Sequence, residues 1–179
     1  MSLPAIVRRV AELLKQKDLK VVFAESCTGG LVAGALTRIP GISDYHCGGV
    51  VVYRNATKEA YLGIPARLLK NPGPVSEVVA REMAIRVLKR TPEADLSAAV
   101  TGHLGPGAPP ELDGVVYIAI ALRQRDRKPP KKRTGVTVVR YQCRTSGKRL
   151  RRQKEVVEEV LLQLEQSLES TAQKIPEIF

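Results

Sequence analysis

The residues best suited to do chemistry lie in one stretch, Ala24–Gly30, which reads Ala-Glu-Ser-Cys-Thr-Gly-Gly and contains two hydroxyls, a thiol and two glycines. A β-rich run, Lys20–Ala24, leads into it, and Leu31–Leu36 follows with helical spacing, so the stretch is predicted to form a strand-to-helix turn. The first N–H groups of a helix have no intrahelical partner and can hold a phosphate or a developing oxyanion. A hydroxyl or thiol in the same turn can act as a nucleophile.

Glycine-marked loops also occur at Asp44–Gly49 and Thr101–Gly107. Loops at one edge of a parallel-rich sheet can converge on one crevice, so we expect these loops to meet the first stretch there. Neither the Walker A motif nor the Rossmann fingerprint is present, which argues against nucleoside triphosphate and dinucleotide sites.

Hydrophobic periodicity predicts helices and strands that alternate along the chain. Helices are predicted at 4–16, 28–38 and 57–62, after a capping Ser76 and at about 149–169; strands are predicted at 20–24, 48–53, 96–101, 115–122 and 134–141. The helices outnumber what one sheet face could cover, so we predict a three-layer α/β/α sandwich with a mixed sheet of about five to six strands. We expect one domain over residues 1–179, with a basic loop at about 123–133 and a loosely held tail from about residue 170.

Length and composition favour a compact cytoplasmic protein that does not associate with a membrane. The chain has 179 residues, of which 44% are hydrophobic, and this is enough for one core. No apolar run approaches the roughly 20 residues of a membrane span, and the residues after Met1 show no signal-peptide pattern. The three cysteines and two histidines lack metal-binding spacing, so we predict reduced thiols, no metal and no cofactor.

The formal charge of +11 is concentrated in one segment, residues 123–154. This segment holds 14 of the 29 lysines and arginines but one of the 18 acidic residues, so the rest of the chain carries a net charge of −2. Cations at the start of the final helix, Lys148–Arg152, oppose the helix dipole, and this placement suggests an anionic ligand. The alternative is that both basic clusters are simply solvated.

Six motifs follow one another in a characteristic order: Ala24–Gly30, Gly48–Tyr53 with Asn55 and Lys58, Leu62–Gly63, Val75–Ser76, Val100–Gly102 and Gly105–Gly107. In this order and spacing, over roughly residues 5 to 165, the chain resembles the CinA C-terminal domain family in its stand-alone form. The resemblance implies nicotinamide-nucleotide amidohydrolase activity. Such an enzyme hydrolyses the carboxamide of nicotinamide mononucleotide to nicotinate mononucleotide and ammonia.

Hydrolysis of an amide without a metal requires a nucleophile, a base and donors for the tetrahedral oxyanion. Ser26 is our candidate nucleophile, and Thr28, Gly29 and Gly30 at the helix start are the candidate oxyanion donors. The alternative is that Ser26 or Thr28 only caps the helix. Cys27 is the rival nucleophile, although a free cysteine is more often a small buried core residue.

Tyr53 and Lys58 match functional positions of the family and are our candidates for proton transfer; the sequence leaves open which of them is the base. A lysine is a base only when neutral, so burial or nearby cations must lower its pKa, and the basic segment could contribute. The alternatives are a solvated helix residue for Lys58 and a packing residue at a strand end for Tyr53.

The substrate phosphate requires cations or helix-start donors. The resemblance assigns this role to Arg149 and Arg151, which open the last helix, and makes Thr101 and Gly102 part of the pocket wall. His103–Leu104 departs from the small apolar pair that is usual in the family, and this puts the exact substrate in doubt.

Two other functions remain open. One is a non-catalytic member that binds a phosphorylated small molecule, for which the departure at His103 is the support. The other is nucleic-acid binding through residues 123–154, but this segment contains one aromatic residue, Tyr141, and matches no named module, so we do not expect a nucleic-acid partner. We expect a homo-oligomer that acts on a small molecule, nicotinamide mononucleotide.

Overall fold

The computed structural model describes residues 2–125 and 133–170. Over these ranges the chain forms six α-helices, five strands and a short 3-10 turn, Ile42–Asp44. In chain order the helices and strands are α1 (Leu3–Lys17), β1 (Val21–Glu25), α2 (Leu31–Leu36), β2 (His46–Val51), α3 (Asn55–Leu62), α4 (Ala66–Lys70), α5 (Glu77–Arg90), β3 (Leu96–Gly102), β4 (Val115–Arg125), β5 (Arg133–Arg144) and α6 (Arg149–Ser170).

The described strands form one mixed sheet in the order β2-β1-β3-β4-β5. β1 is parallel to both β2 and β3, whereas β4 is antiparallel to both β3 and β5. The carboxyl ends of β1, β2 and β3 therefore lie at the same edge. The chain leaves β1 towards β2 on one side and later returns to β3 on the other, which opens a crevice at the end of β1.

Helices cover both faces of the sheet, as predicted for a three-layer sandwich. One apolar cluster packs α1, α2 and α6 against side chains such as Phe23 and Ile118. A second cluster packs α3, α4 and α5 against the opposite face, through residues such as Ala24 and Ala119. Alternate residues of each strand serve opposite faces because successive side chains point to opposite sides of a strand. Within the described ranges, no helix combines the length and the apolar character needed to cross a membrane.

Several boundaries differ from the predicted ones. Strands β4 and β5 continue to Arg125 and from Arg133, so what remains of the predicted basic loop, 126–132, lies outside the described residues, as does the tail from 171. Strand β2 runs from His46 to Val51, so it begins two residues before the predicted strand 48–53, within the predicted glycine loop, and ends two residues earlier. The five-residue α4 was not predicted, because one helical turn and a half gives no periodic signal.

Candidate active site

A cavity of about 280 Å³ lies in the crevice at the carboxyl ends of β1, β2 and β3. Six of the predicted site residues line it: Ser26, Tyr53, Lys58, Thr101, Gly102 and Arg149. They come from the residues that follow β1 and β2, from α3, from the end of β3 and from the first residue of α6. The convergence follows from the parallel arrangement of three strands. His103 also lines the cavity.

Ser26 and Lys58 meet at the inner end of this cavity. The Lys58 ammonium donates hydrogen bonds to the Ser26 hydroxyl at 3.1 Å and to the Val52 carbonyl at 2.9 Å. The Tyr53 carbonyl lies 3.5 Å from Nζ of Lys58. The two residues that directly follow β2, Val52 and Tyr53, therefore both present carbonyl acceptors to the amine. Lys58 is 2% exposed, which excludes the alternative of a solvated helix residue.

Burial lowers the pKa of Lys58 from its usual 10.5 to about 8. The low-dielectric surroundings disfavour the charged form, and this is the main cause of the shift. A substantial fraction of the amine is therefore neutral at mildly alkaline pH. A neutral amine within hydrogen-bond distance of a serine hydroxyl has the geometry of a general base.

The backbone of Ser26 is held on both sides. Its N–H donates to the Val100 carbonyl at 3.1 Å, which extends the pairing of β1 with β3 by one residue. Its carbonyl accepts from the Gly29 N–H at 3.1 Å, which closes a tight turn. Gly29 and Gly30 follow with φ of +65° and +99°. Residues that carry a Cβ rarely adopt this left-handed backbone conformation, so the turn favours glycine at both positions.

Glu25 was not predicted as a functional residue, yet it organises this turn. The side chain is 2% exposed. Its carboxylate accepts hydrogen bonds from the Thr28 hydroxyl at 2.7 Å and from three backbone N–H groups, those of Gly30 at 2.9 Å, Val32 at 3.1 Å and Ala33 at 2.8 Å. No direct signal for this role was present in the sequence, because the helix is predicted over 28–38 with Ser26 or Thr28 as a candidate cap. The observed α2 begins only at Leu31, after Gly30, which offers no side-chain acceptor, so another residue has to satisfy its first N–H groups.

The expected role as oxyanion donors is thereby corrected for the Thr28 hydroxyl and for the N–H groups of Gly29 and Gly30, whereas the Thr28 N–H stays a predicted donor. The Thr28 hydroxyl and the Gly30 N–H already donate to Glu25, and the Gly29 N–H donates to the Ser26 carbonyl. An internal carboxylate occupies the start of α2, where the sequence suggested that a substrate anion could bind. These residues shape the turn that carries Ser26.

Cys27 is a core residue in this structure. Burial raises the pKa of its thiol to about 12, so the thiol is protonated at neutral pH and is a poor nucleophile. The sulfur packs beside Gly102: a Cβ at Gly102 would lie 3.2 Å from Sγ and 2.8 Å from a methyl group of Val116. Close packing therefore explains why position 102 requires a glycine.

Tyr53 and Arg149 meet at the mouth of the cavity. Arg149 donates from Nη2 to the Tyr53 hydroxyl at 2.8 Å and from Nη1 to the Gly105 carbonyl at 2.7 Å. The Tyr53 side chain is thus a rim residue, and its backbone carbonyl is the part that faces Lys58. The guanidinium places a positive charge beside the opening.

Arg151, the second predicted phosphate ligand, does not line the cavity. Its Nε donates to Glu155 at 2.8 Å on the surface of α6. Successive helical residues turn by about 100°, so residues two apart lie on nearly opposite sides of the helix. The neighbouring Arg152 binds the loop that follows β3: its two terminal nitrogens donate to the Asp113 carboxylate at 2.6 and 2.7 Å.

Thr101 and the His103–Leu104 pair form much of the remaining wall. The Thr101 hydroxyl donates to the Pro74 carbonyl at 2.9 Å, which ties the loop before α5 to the cavity. Leu104 is 2% exposed and joins the apolar cluster under α6. Of the two residues that depart from the family pair, Leu104 therefore adds apolar volume to the core and His103 adds an imidazole to the cavity wall.

Comparison with known proteins identifies the family of the chain. Residues 4–168 match the family described as the CinA C-terminal domain. The chain belongs to the CinA C-terminal domain family. A CinA-like protein of Crocosphaera subtropica is 45% identical over 114 residues, which cover 63% of this chain and 27% of that protein. A CinA-like protein of Geobacter sulfurreducens is 46% identical over 116 residues, which cover 64% of this chain and 28% of that protein.

Solved CinA-family structures share the fold over almost the whole domain. The competence/damage inducible protein CihA of Agrobacterium tumefaciens superimposes with a TM-score of 0.81 at 32% identity and covers 94% of this chain and 99% of its own. A CinA superfamily protein of Klebsiella pneumoniae superimposes with a TM-score of 0.82 at 24% identity, covering 95% of this chain and 99% of its own. This chain therefore shares its mixed sheet, with helices on both faces, with solved structures of CinA proteins.

Proposed function

We propose that this CinA-family domain is a metal-independent amidohydrolase that converts nicotinamide mononucleotide to nicotinate mononucleotide and ammonia. The observation that carries the proposal is the hydrogen bond of 3.1 Å between the Lys58 amine and the Ser26 hydroxyl. A serine activated by a buried amine of lowered pKa is suited to acyl transfer from an amide. The resemblance of the motifs to nicotinamide-nucleotide amidohydrolases supplies the substrate.

In the proposed reaction, neutral Lys58 accepts the proton of the Ser26 hydroxyl as Oγ attacks the carboxamide carbon. The C–N bond of the tetrahedral intermediate then breaks, and Lys58 returns the proton to the nitrogen, which leaves as ammonia. A water molecule next attacks the acyl group and gives its proton to Lys58. The ester bond breaks, Ser26 regains the proton from Lys58, and the carboxylic acid product gives up its own proton, which converts the released ammonia to ammonium.

The geometry favours Lys58 over Tyr53 as the base. The amine of Lys58 contacts Ser26 directly, whereas the hydroxyl of Tyr53 is bonded to Arg149 at the rim. Tyr53 is then a residue that positions the guanidinium. Because Glu25 engages the start of α2, the proposal places no substrate oxygen there.

The cavity is chemically asymmetric in the way a charged nucleotide requires. The inner end holds Ser26 and Lys58, where the carboxamide would react, and the mouth holds Arg149. An arginine presents a planar fork of donors that matches a phosphate group. We therefore assign the phosphate to Arg149. His103 lines the same cavity and so influences which phosphorylated amide fits.

The test is ammonia release from nicotinamide mononucleotide, nicotinamide riboside and nicotinamide. We expect turnover of the mononucleotide, with the riboside and the free base far poorer, and loss of activity in Ser26→Ala. Ser170→Ala is the matched control, because its hydroxyl donates to the Ser167 carbonyl in the last turn of α6 and Ser170 does not line the cavity. Full activity of Ser26→Ala would overturn the nucleophile assignment. Thermal stabilisation by the mononucleotide without ammonia release would instead indicate a non-catalytic binding domain.

A further inference from the structure

We propose that Glu25 is a positioning residue for the reaction, acting through Ser26: its buried carboxylate holds the turn that presents the Ser26 hydroxyl to Lys58. This inference rests on the proposed function for its kinetic part. Glu25 is the last residue of β1 and is not among the described residues that line the cavity. The hydrogen bonds described for its carboxylate go to the turn and to the start of α2, so the proposed action on the reaction is indirect.

The carboxylate replaces a helix cap that α2 lacks. Helix α2 has six residues and starts from Gly30, which has no side-chain acceptor for the first N–H groups. A helix of this length is unstable by itself, because the cost of its first turn is spread over few hydrogen bonds. Glu25 accepts from Gly30, Val32 and Ala33, and its negative charge suits the positive end of the helix dipole.

The same carboxylate fixes the path of the chain around Ser26. The Glu25 carbonyl accepts from the Val52 N–H at 2.8 Å, so the backbone of Glu25 is anchored to the chain after β2. Its side chain then reaches forward to the Thr28 hydroxyl at 2.7 Å. The chain between these two anchors consists of Ser26 and Cys27. With the Ser26 N–H bound to Val100, this segment has little freedom to rotate the serine away from Lys58.

The kinetic test compares Glu25→Gln and Glu25→Ala with wild type at a temperature well below unfolding. We expect kcat for nicotinamide mononucleotide to fall about 100-fold, the loss typical of a reacting group misplaced by about 1 Å, with KM changed less than about twofold. Glu82→Gln is the matched control, because Glu82 is hydrogen-bonded to Arg86 on α5, away from the cavity. We further expect formate to restore part of the kcat of Glu25→Ala, by occupying the vacated carboxylate position, and to leave wild type unchanged.

A second readout does not depend on the substrate. A fluorophosphonate reacts with an activated serine, so the rate at which it labels Ser26 reports the Ser26–Lys58 geometry directly. We expect labelling to slow about as much as kcat in the Glu25 variants, and the amides of Gly30, Val32 and Ala33 to exchange hydrogen faster. If wild type released no ammonia but was labelled, the proposed function would fail while the role of Glu25 was still measured.

Thr28→Val covers the case in which both Glu25 variants fail to fold. It removes one of the four hydrogen bonds to the carboxylate and leaves the charge in place. We expect a folded protein with labelling and kcat reduced about tenfold, in keeping with the loss of one hydrogen bond to a charged group. A lower melting temperature with unchanged labelling and unchanged kcat per folded molecule, in Glu25→Gln or in Thr28→Val, would show that Glu25 only stabilises the fold and would overturn the proposal.

Discussion

The amine of Lys58 and the hydroxyl of Ser26, 32 residues apart in the chain, lie 3.1 Å from each other at the inner end of the cavity. The pair is buried, with Lys58 2% and Ser26 6% exposed. Burial that lowers the pKa of the amine to about 8 has two measurable consequences. It sets the pH at which the lysine can act as a base, and it makes the stability of the fold depend on pH.

The rate of the proposed reaction should rise with pH through about 8, the pKa of Lys58 in the folded protein. Only neutral Lys58 can accept the proton of Ser26, so below this pH kcat/KM should fall about tenfold per pH unit. A pH–rate profile from pH 6 to 9.5 checks this. Lys58→Arg is the control, since a guanidinium stays charged at every accessible pH and should give no activity across the profile. A profile that is flat over this range would exclude Lys58 as the base.

Stability should increase between pH 8 and 10.5, the folded and unfolded pKa values of Lys58. In this interval the unfolded chain binds the proton and the folded protein does not, so the free energy of unfolding rises with pH. The full effect for a shift of this size is about 3 kcal/mol, present above the unfolded pKa and lost as the pH falls through about 8.

Urea unfolding of wild type and Lys58→Met at pH 7, 9 and 10.5 measures this contribution. The other lysines are common to both proteins, so the difference between the two curves isolates Lys58. We expect wild type to gain stability relative to Lys58→Met as the pH rises. Parallel curves would mean that the amine is solvated in the folded state.

Cys27 should be dispensable for the reaction. Its pKa of about 12 keeps the thiol protonated, and its side chain packs beside Gly102 in the core. We expect Cys27→Ala to keep kcat within about twofold and to lose about 1 kcal/mol of stability, a typical cost for a small core truncation. In wild type, iodoacetamide at pH 8 should leave Cys27 unmodified until urea is added. Loss of ammonia release in a folded Cys27→Ala protein would reopen the choice of nucleophile.

The sequence predicted which residues come together more successfully than it predicted what they contact. Ser26, Lys58 and Arg149 line one cavity because each follows or faces the carboxyl end of a parallel strand. Glycine-marked loops after predicted strands indicated this convergence, and the family resemblance supplied Lys58 and Arg149. The occupation of the α2 start by Glu25 depends on where a side chain at the end of β1 turns, which no periodicity encodes. The burial of Lys58 likewise depends on how α3 packs against the chain after β2.

Arg151 is a different case, because helix geometry could have excluded it. Once Arg149 faces the cavity, a residue two positions further along α6 faces nearly the opposite way. Arg149 and Arg151 therefore form a matched pair of substitutions on one helix, with equal charge and different positions. Arg149 bonds to the cavity rim at Tyr53, and Arg151 bonds to Glu155 on the outer surface.

Arg149→Gln should raise KM for nicotinamide mononucleotide about 10- to 100-fold, the effect expected for one lost charge-assisted hydrogen bond or two. Arg151→Gln should leave KM within about twofold, because its guanidinium does not face the cavity. The unphosphorylated riboside provides the internal check: its kcat/KM should be nearly the same in all three proteins, since it has no phosphate for Arg149 to bind. Equal increases of KM in both variants would indicate that the summed positive charge at the start of α6 attracts the phosphate, and that Arg149 does not contact it directly. An equal loss for riboside and mononucleotide in Arg149→Gln would assign the arginine to holding Tyr53 and Gly105 in place.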